Sequence, residues 1–253
     1  MSRKRDDSFF IGWAAPPSPL RWFMVAVAGF LIVLFACSAY VIAATQADPG
    51  GGSFRFDWGR QNVVGVLSLD PYPVIHVTES ERFPAGHALL LSGNGKRGVQ
   101  ERAAPLDGQL VQASGVIINR GDIDMLQVRN GDAGLSAAEG DAATPVESED
   151  LGRWRIAGEI CDGKCYTGAM RPGQGLAHRA CANFCIIGGV PPIFVSTVPV
   201  EGEEFLLLAG PDGGPIPDEL MAQAAILLEI EGQVERLGDL LVFQVDPDTI
   251  SVF

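Results

Sequence analysis

Apolar positions along this chain follow two different rules. From residue 22 to residue 44 they are continuous, reading WFMVAVAGFLIVLFACSAYVIAA with no charge. A helix of that length rises roughly 34 Å, enough to cross a bilayer core. After residue 48 they come in short runs rich in Leu and β-branched residues, bounded by Gly and Pro. Runs at 63–69, 74–78, 88–91, 111–118 and 123–128 predict strands, the last two split by a turn at Asn119-Arg120-Gly121-Asp122. Residues 133–150 are small, acidic and without periodicity, and read as a linker.

The pattern then restarts. Leu89-Leu90-Leu91-Ser92-Gly93 matches Leu206-Leu207-Leu208-Ala209-Gly210. Gly115, Gly121, Asp122, Gln127 and Val128 match Gly232, Gly238, Asp239, Gln244 and Val245 at the same offset of 117. Shared glycines at one ungapped offset predict two copies of a small β-module, at 55–132 and 151–253. The first strands correspond differently: Gly65-Val66-Leu67 matches Gly158-Glu159-Ile160, an offset of 93. The second copy is therefore 24 residues longer (117 against 93) between its first strand and its Leu-rich strand. About five short strands closing on a hairpin suit a small OB-like barrel, with a β-sandwich as the alternative. The predicted fold class is mainly β: one transmembrane helix, then two OB-like modules.

The added interval, residues 161–192, holds four of the five cysteines and one of three histidines. It reads CDGKCYTGAMRPGQGLAHRACANFCIIGGVPP. His178, Cys181 and Cys185 stand at helical spacing, so a short helix over HRACANFC would present an imidazole and two thiols on one side. Cys165 would arrive from the preceding strand end, and Cys161 is a fifth candidate. Three thiolates and an imidazole suit tetrahedral zinc, and thiolate-rich sites also suit copper(I). Asp162 could orient a ligand from behind, and Met170 could add a thioether in a copper site. The competing reading is disulfide pairing, the usual state of exported cysteines. A thiol-disulfide oxidoreductase is a third class.

The flanks of the helix bear on compartment. Arg3, Lys4, Arg5 and Arg21 precede it, and no Lys or Arg follows until Arg55. The positive-inside rule then predicts a single-pass anchor in the cytoplasmic membrane, N-terminus in the cytoplasm (residues 1–21) and the bulk in the periplasm. An aromatic run at 9–13 reads as an interfacial belt. The apolar stretch is too long for the h-region of a cleaved signal peptide. Cys37 reads as a small buried residue of the retained helix.

Net charge of −13 argues against nucleic acid as a partner. The expected partners are the lipid bilayer and a membrane protein complex. No haem-attachment, thioredoxin, P-loop, dinucleotide-binding or nucleophile-elbow motif occurs. No catalytic residue is assigned. His76 and His87 lack ligand-type neighbours in sequence and read as ordinary surface or strand residues. Asp70-Pro71-Tyr72-Pro73 reads as a turn, and Glu203-Glu204 as a solvated hairpin end.

The run D-x-K-C-Y (Asp162, Lys164, Cys165, Tyr166) is followed by G-x-x-H-x-x-C-A-x-x-C (Gly175, His178, Cys181, Ala182, Cys185) and G-G-x-P-P at 188–192. This motif resembles one in poorly characterised exported or membrane-anchored bacterial proteins. The resemblance covers mainly the second module and implies OB-like modules and the location of the site, but no established activity. Cys161 is an addition to that pattern. Together these readings predict a membrane-anchored periplasmic metal-binding accessory protein, or a subunit beside a membrane redox enzyme. The alternative is a disulfide-stapled interaction protein without metal.

Overall fold

The computed structural model describes residues 18–45, 50–140 and 146–253. The expectations for residues 1–17, for 46–49 and for the middle of the linker, 141–145, lie outside the described residues. The chain divides into two units, Met1–Asp48 and Pro49–Phe253. In the first, a 3-10 turn at Ser18–Leu20 leads into α1 (Arg21–Thr45). No proline or charge follows Arg21 within α1, so nothing breaks its hydrogen-bond ladder or its apolar surface. The helical stretch Ser18–Ala44 is long and apolar enough to cross a membrane, and a signal sequence near an N-terminus would meet the same description.

The second unit is mainly β. Its strands, among the described residues, are β1 (Ser53–Phe54), β2 (Gln61–Ser68), β3 (Val74–Ser80), β4 (Ala88–Ser92), β5 (Leu110–Arg120), β6 (Ile123–Val128) and β7 (Leu135–Ala137) in one sheet. The other sheet is a closed five-stranded barrel of β8 (Ser148–Asp162), β9 (Pro192–Val200), β10 (Glu203–Ala209), β11 (Leu227–Leu237) and β12 (Leu240–Val252). Short helices α2 (Gln100–Ala103), α3 (Arg179–Ile187) and α4 (Asp218–Met221) connect strands.

The strand pairings of one sheet recur in the other. β2 pairs β3, β3 pairs β4, β4 runs parallel to β6, and β5 pairs both β6 and β2. In the barrel, β8 pairs β9, β9 pairs β10, β10 runs parallel to β12, and β11 pairs both β12 and β8. The register repeats as well: Leu90 faces Met125 as Leu207 faces Val242, and Gly115 faces Val128 as Gly232 faces Val245. Gly115 and Gly232 are required for the same steric reason. A Cβ at Gly115 would lie 2.2 Å from the Gln127 carbonyl oxygen, and one at Gly232 2.3 Å from that of Gln244.

The linker reading needs correction at both ends. Leu135–Ala137 is a strand paired with β5, and the long strand β8 already begins at Ser148. A three-residue edge strand is too short to show periodicity, which hid it from the sequence pattern.

The unbroken Leu runs have a structural cause. Leu89 and Leu91 point into the core of the first sheet, and Leu206 and Leu208 into the core of the barrel. Leu90 and Leu207 point the other way, into a third buried cluster with Val74, Ile118, Met125, Ile193, Phe205 and Val242. Alternate side chains leave opposite faces of a strand, so a strand buried on both faces reads as continuously apolar. β4 and β10 thus sit where the two sheets pack on each other.

The candidate metal centre

The site is built where β8 ends. Asp162, the last residue of that strand, is fully buried. Its Oδ1 accepts the backbone N–H of Cys165 at 2.8 Å, and its Oδ2 lies 2.9 Å from His178 Nε2. One carboxylate therefore holds the start of the inserted loop and the residue that leads into α3. Cys165 opens a single wide turn, Cys165–Ala169. The turn folds tightly: a Cβ on Gly173 would lie 2.5 Å from the Cys165 carbonyl oxygen.

His178 closes a 3-10 turn, Leu176–His178, and α3 begins at the next residue. Cys181 and Cys185 follow on α3, one turn apart, so their thiols emerge on the same side. Gly188 ends the helix, and the Val190 N–H bonds the Cys185 carbonyl at 2.9 Å. Cys165, Cys185 and Val190 form a small buried cluster, with Cys181 half-buried at its edge.

Two overlapping triads of donor atoms result, each with all atoms within 4.8 Å of one another: Cys165, His178 and Cys181, and Asp162, Cys165 and Cys185. Cys165 Sγ stands 3.9 Å from Cys181 Sγ and 3.9 Å from Cys185 Sγ. A disulfide would require about 2.05 Å. Two thiolates on one tetrahedral zinc, each bonded at about 2.3 Å, stand roughly 3.8 Å apart. Because Asp162 engages Nε2, the Nδ1 atom is the ring nitrogen left for a metal, the carboxylate–histidine arrangement common behind metal ligands. Donor types, burial and sulfur spacing are such that the cluster could hold a metal ion.

Cys161 is placed elsewhere. It belongs to the cluster between the sheets, and its Sγ faces Glu159 Oε1 at 3.4 Å. Burial first, and then the Glu159 charge and hydrogen bond, push its thiol well above the ordinary value. Met170 is exposed where the wide turn ends.

Two lysines complete the surroundings: Lys164 of the D-x-K-C-Y run, and Lys96, which no motif singled out. Lys164 is buried, and its ammonium donates to the carbonyls of Gly93 at 2.6 Å and Gly95 at 2.9 Å. Burial pulls it below the usual lysine value, against the opposing influence of Cys185, Cys165 and Asp162. The loop it grips, 93–98, belongs to the first sheet. That loop brings Lys96 Nζ to 2.5 Å from Cys181 Sγ and 3.6 Å from Cys185 Sγ. The Cys181 bond holds the Lys96 ammonium above its ordinary value. Within the thiol pair, the Cys165–Cys185 hydrogen bond, with burial and Asp162 behind it, drives Cys165 far up. The same bond lowers Cys185, whose thiolate it favours.

His87 also departs from its sequence reading. Its side chain is only 14% exposed, with Nδ1 2.7 Å from Asp239 Oδ2 and Nε2 3.1 Å from Asp124 Oδ2. Asp239 also accepts the Ala88 N–H at 2.8 Å, so the pair ties the barrel to the first sheet. The deciding partner is 152 residues away, which is why no local pattern revealed it.

Comparison of the chain with protein-family models, with curated proteins and with solved structures finds no match.

Proposed function

We propose that this chain is a membrane-anchored metal-binding accessory protein, with two OB-like modules held outside the cytoplasm. In this reading Cys165, His178, Cys181 and Cys185 bind one zinc or copper(I) ion, and Asp162 orients the imidazole. The observation that carries it is the pair of overlapping donor triads that share Cys165, whose sulfur lies 3.9 Å from the sulfurs of both Cys181 and Cys185 in largely buried surroundings. Bound there, the ion would neutralise the thiolates and lock the inserted loop to the barrel. With all four side chains engaged, a zinc site would have no position left for substrate, which favours storage, delivery or structural support over catalysis. The recurring strand pairings support two copies of one module. The apolar helix, with basic residues before it and none until Arg55, supports anchorage with the modules exported. The same placement suits a subunit beside a membrane redox enzyme.

The test is to purify the full chain in detergent without reductant or chelator, then measure metal and free thiols together. One equivalent of zinc or copper, with Cys165, Cys181 and Cys185 protected from alkylation until a chelator is added, is the expected result. Metal-free protein whose cysteines are paired in mass spectra would replace this reading with the disulfide-stapled one.

A further inference from the structure

We propose that Lys96 is a positioning residue of the thiol cluster, supplied by the first sheet, and that the centre is incomplete without it. The inference rests on the metal reading above and concerns what sets the affinity of that centre.

Three thiolates and a neutral imidazole leave a divalent ion with one excess negative charge, and copper(I) with two. In a buried pocket such a charge needs a counterion. Lys96, itself exposed to solvent, is placed to be one at the half-buried edge of the cluster, its ammonium against Cys181 Sγ and near Cys185 Sγ. It also reaches the Cys181 carbonyl at 3.4 Å. Lys164, a second cation near Cys165 and Cys185, spends two of its donors on Gly93 and Gly95 and so acts on the sulfurs by charge and not by contact. The roles divide accordingly: Lys164 holds the loop and Lys96 faces the sulfurs.

The loop is built against the site rather than passing near it. Gly98 N–H donates to the Gly188 carbonyl at 2.7 Å, and Gln100 Nε2 to the Gly189 carbonyl at 2.5 Å. Backbones approach so closely that a Cβ on Gly188 would lie 1.9 Å from the Lys96 carbonyl oxygen. A Cβ on Gly98 would lie 2.0 Å from that of Gly189. These contacts join the loop to the residues that directly follow α3, so the ammonium is held in register with Cys181 and Cys185.

The experiment loads the full chain in detergent with Zn²⁺ alone and measures affinity by chelator competition. Wild type is compared with Lys96→Arg, Lys96→Gln and Lys96→Glu. Loss of a group behind metal ligands typically weakens binding 10–100-fold. Lys96→Gln is expected to weaken zinc retention on the order of tenfold, Lys96→Glu more, and Lys96→Arg little. Cobalt(II) in place of zinc should keep its thiolate charge-transfer bands unmoved in Lys96→Gln, because the ligands are unchanged. Equal zinc affinity in all four proteins overturns the inference and leaves the metal reading standing. An arginine variant as weak as the glutamine one, or shifted cobalt bands, overturns the charge role. A wild type that binds no zinc in competition and gives no cobalt thiolate bands overturns the inference, and if it also fails to retain copper(I) the metal reading falls with it.

Discussion

At the scale of residues, Cys161 and Cys165 show how little proximity in sequence says about proximity in space. Cys161 is still on β8, where neighbours alternate between faces, and its thiol enters the cluster between the sheets. Cys165 comes after the strand has ended and turns toward α3. Cys161→Ser should therefore leave metal stoichiometry and affinity unchanged, while costing roughly 1 kcal/mol of stability. Metal analysis beside a denaturant titration checks both; a loss of bound metal would contradict the placement. The grouping of His178, Cys181 and Cys185 was readable because helical spacing is a local property. The contribution of Lys96 was not, since it lies 85 residues from Cys181 in a glycine-rich loop with no periodicity. His87 escaped in the same way, its partners being fixed by tertiary packing alone.

At the scale of elements, the loop at 93–98 and the turn after α3 behave as one joint. Gly188 sits at φ −74°, a conformation open to any residue, so glycine is needed there for space alone. Gly188→Ala should cost about 1–3 kcal/mol through displaced backbone. It should also reduce metal retention, because the displaced atom is the Lys96 carbonyl oxygen. Thermal melting with and without zinc separates the two effects. By contrast, Gly175→Ala faces open space, and its cost comes from a φ of +75°. The strand content and the apolar helix were legible because periodicities of two and continuous hydropathy are strong signals. The fixed offset of 117 was legible because it is also the offset of the pairing registers. The edge strand Leu135–Ala137 and the early start of β8 were not, since both lie in polar, unpatterned sequence whose pairing is decided by the neighbouring strand.

At the scale of the second unit, the two sheets are joined by apolar packing around Leu90 and Leu207 and by the His87–Asp239 pair. Burial alone would lower His87, but hydrogen bonds to Asp124 and Asp239 more than offset it and raise its pKa to about 9. A raised folded-state pKa contributes stability that is full below the unfolded value, near 6.5, and fades as pH rises through 9. Burial would raise Asp239, but the His87 hydrogen bond and charge lower it on balance, so its own contribution holds above about pH 4 and is lost on acidification. Melting temperature should thus decline from pH 6.5 to 9 in wild type, and His87→Gln should flatten that decline. An unchanged slope in the variant would show that the pair carries no such linkage. The clamp of Lys164 on Gly93 and Gly95 joins parts of the chain 71 and 69 residues apart. If an ion binds between the sulfurs, its shell is closed by a helix of the barrel's insertion on one side and by a loop following β4 on the other, so retention of the ion would report that the two sheets are docked.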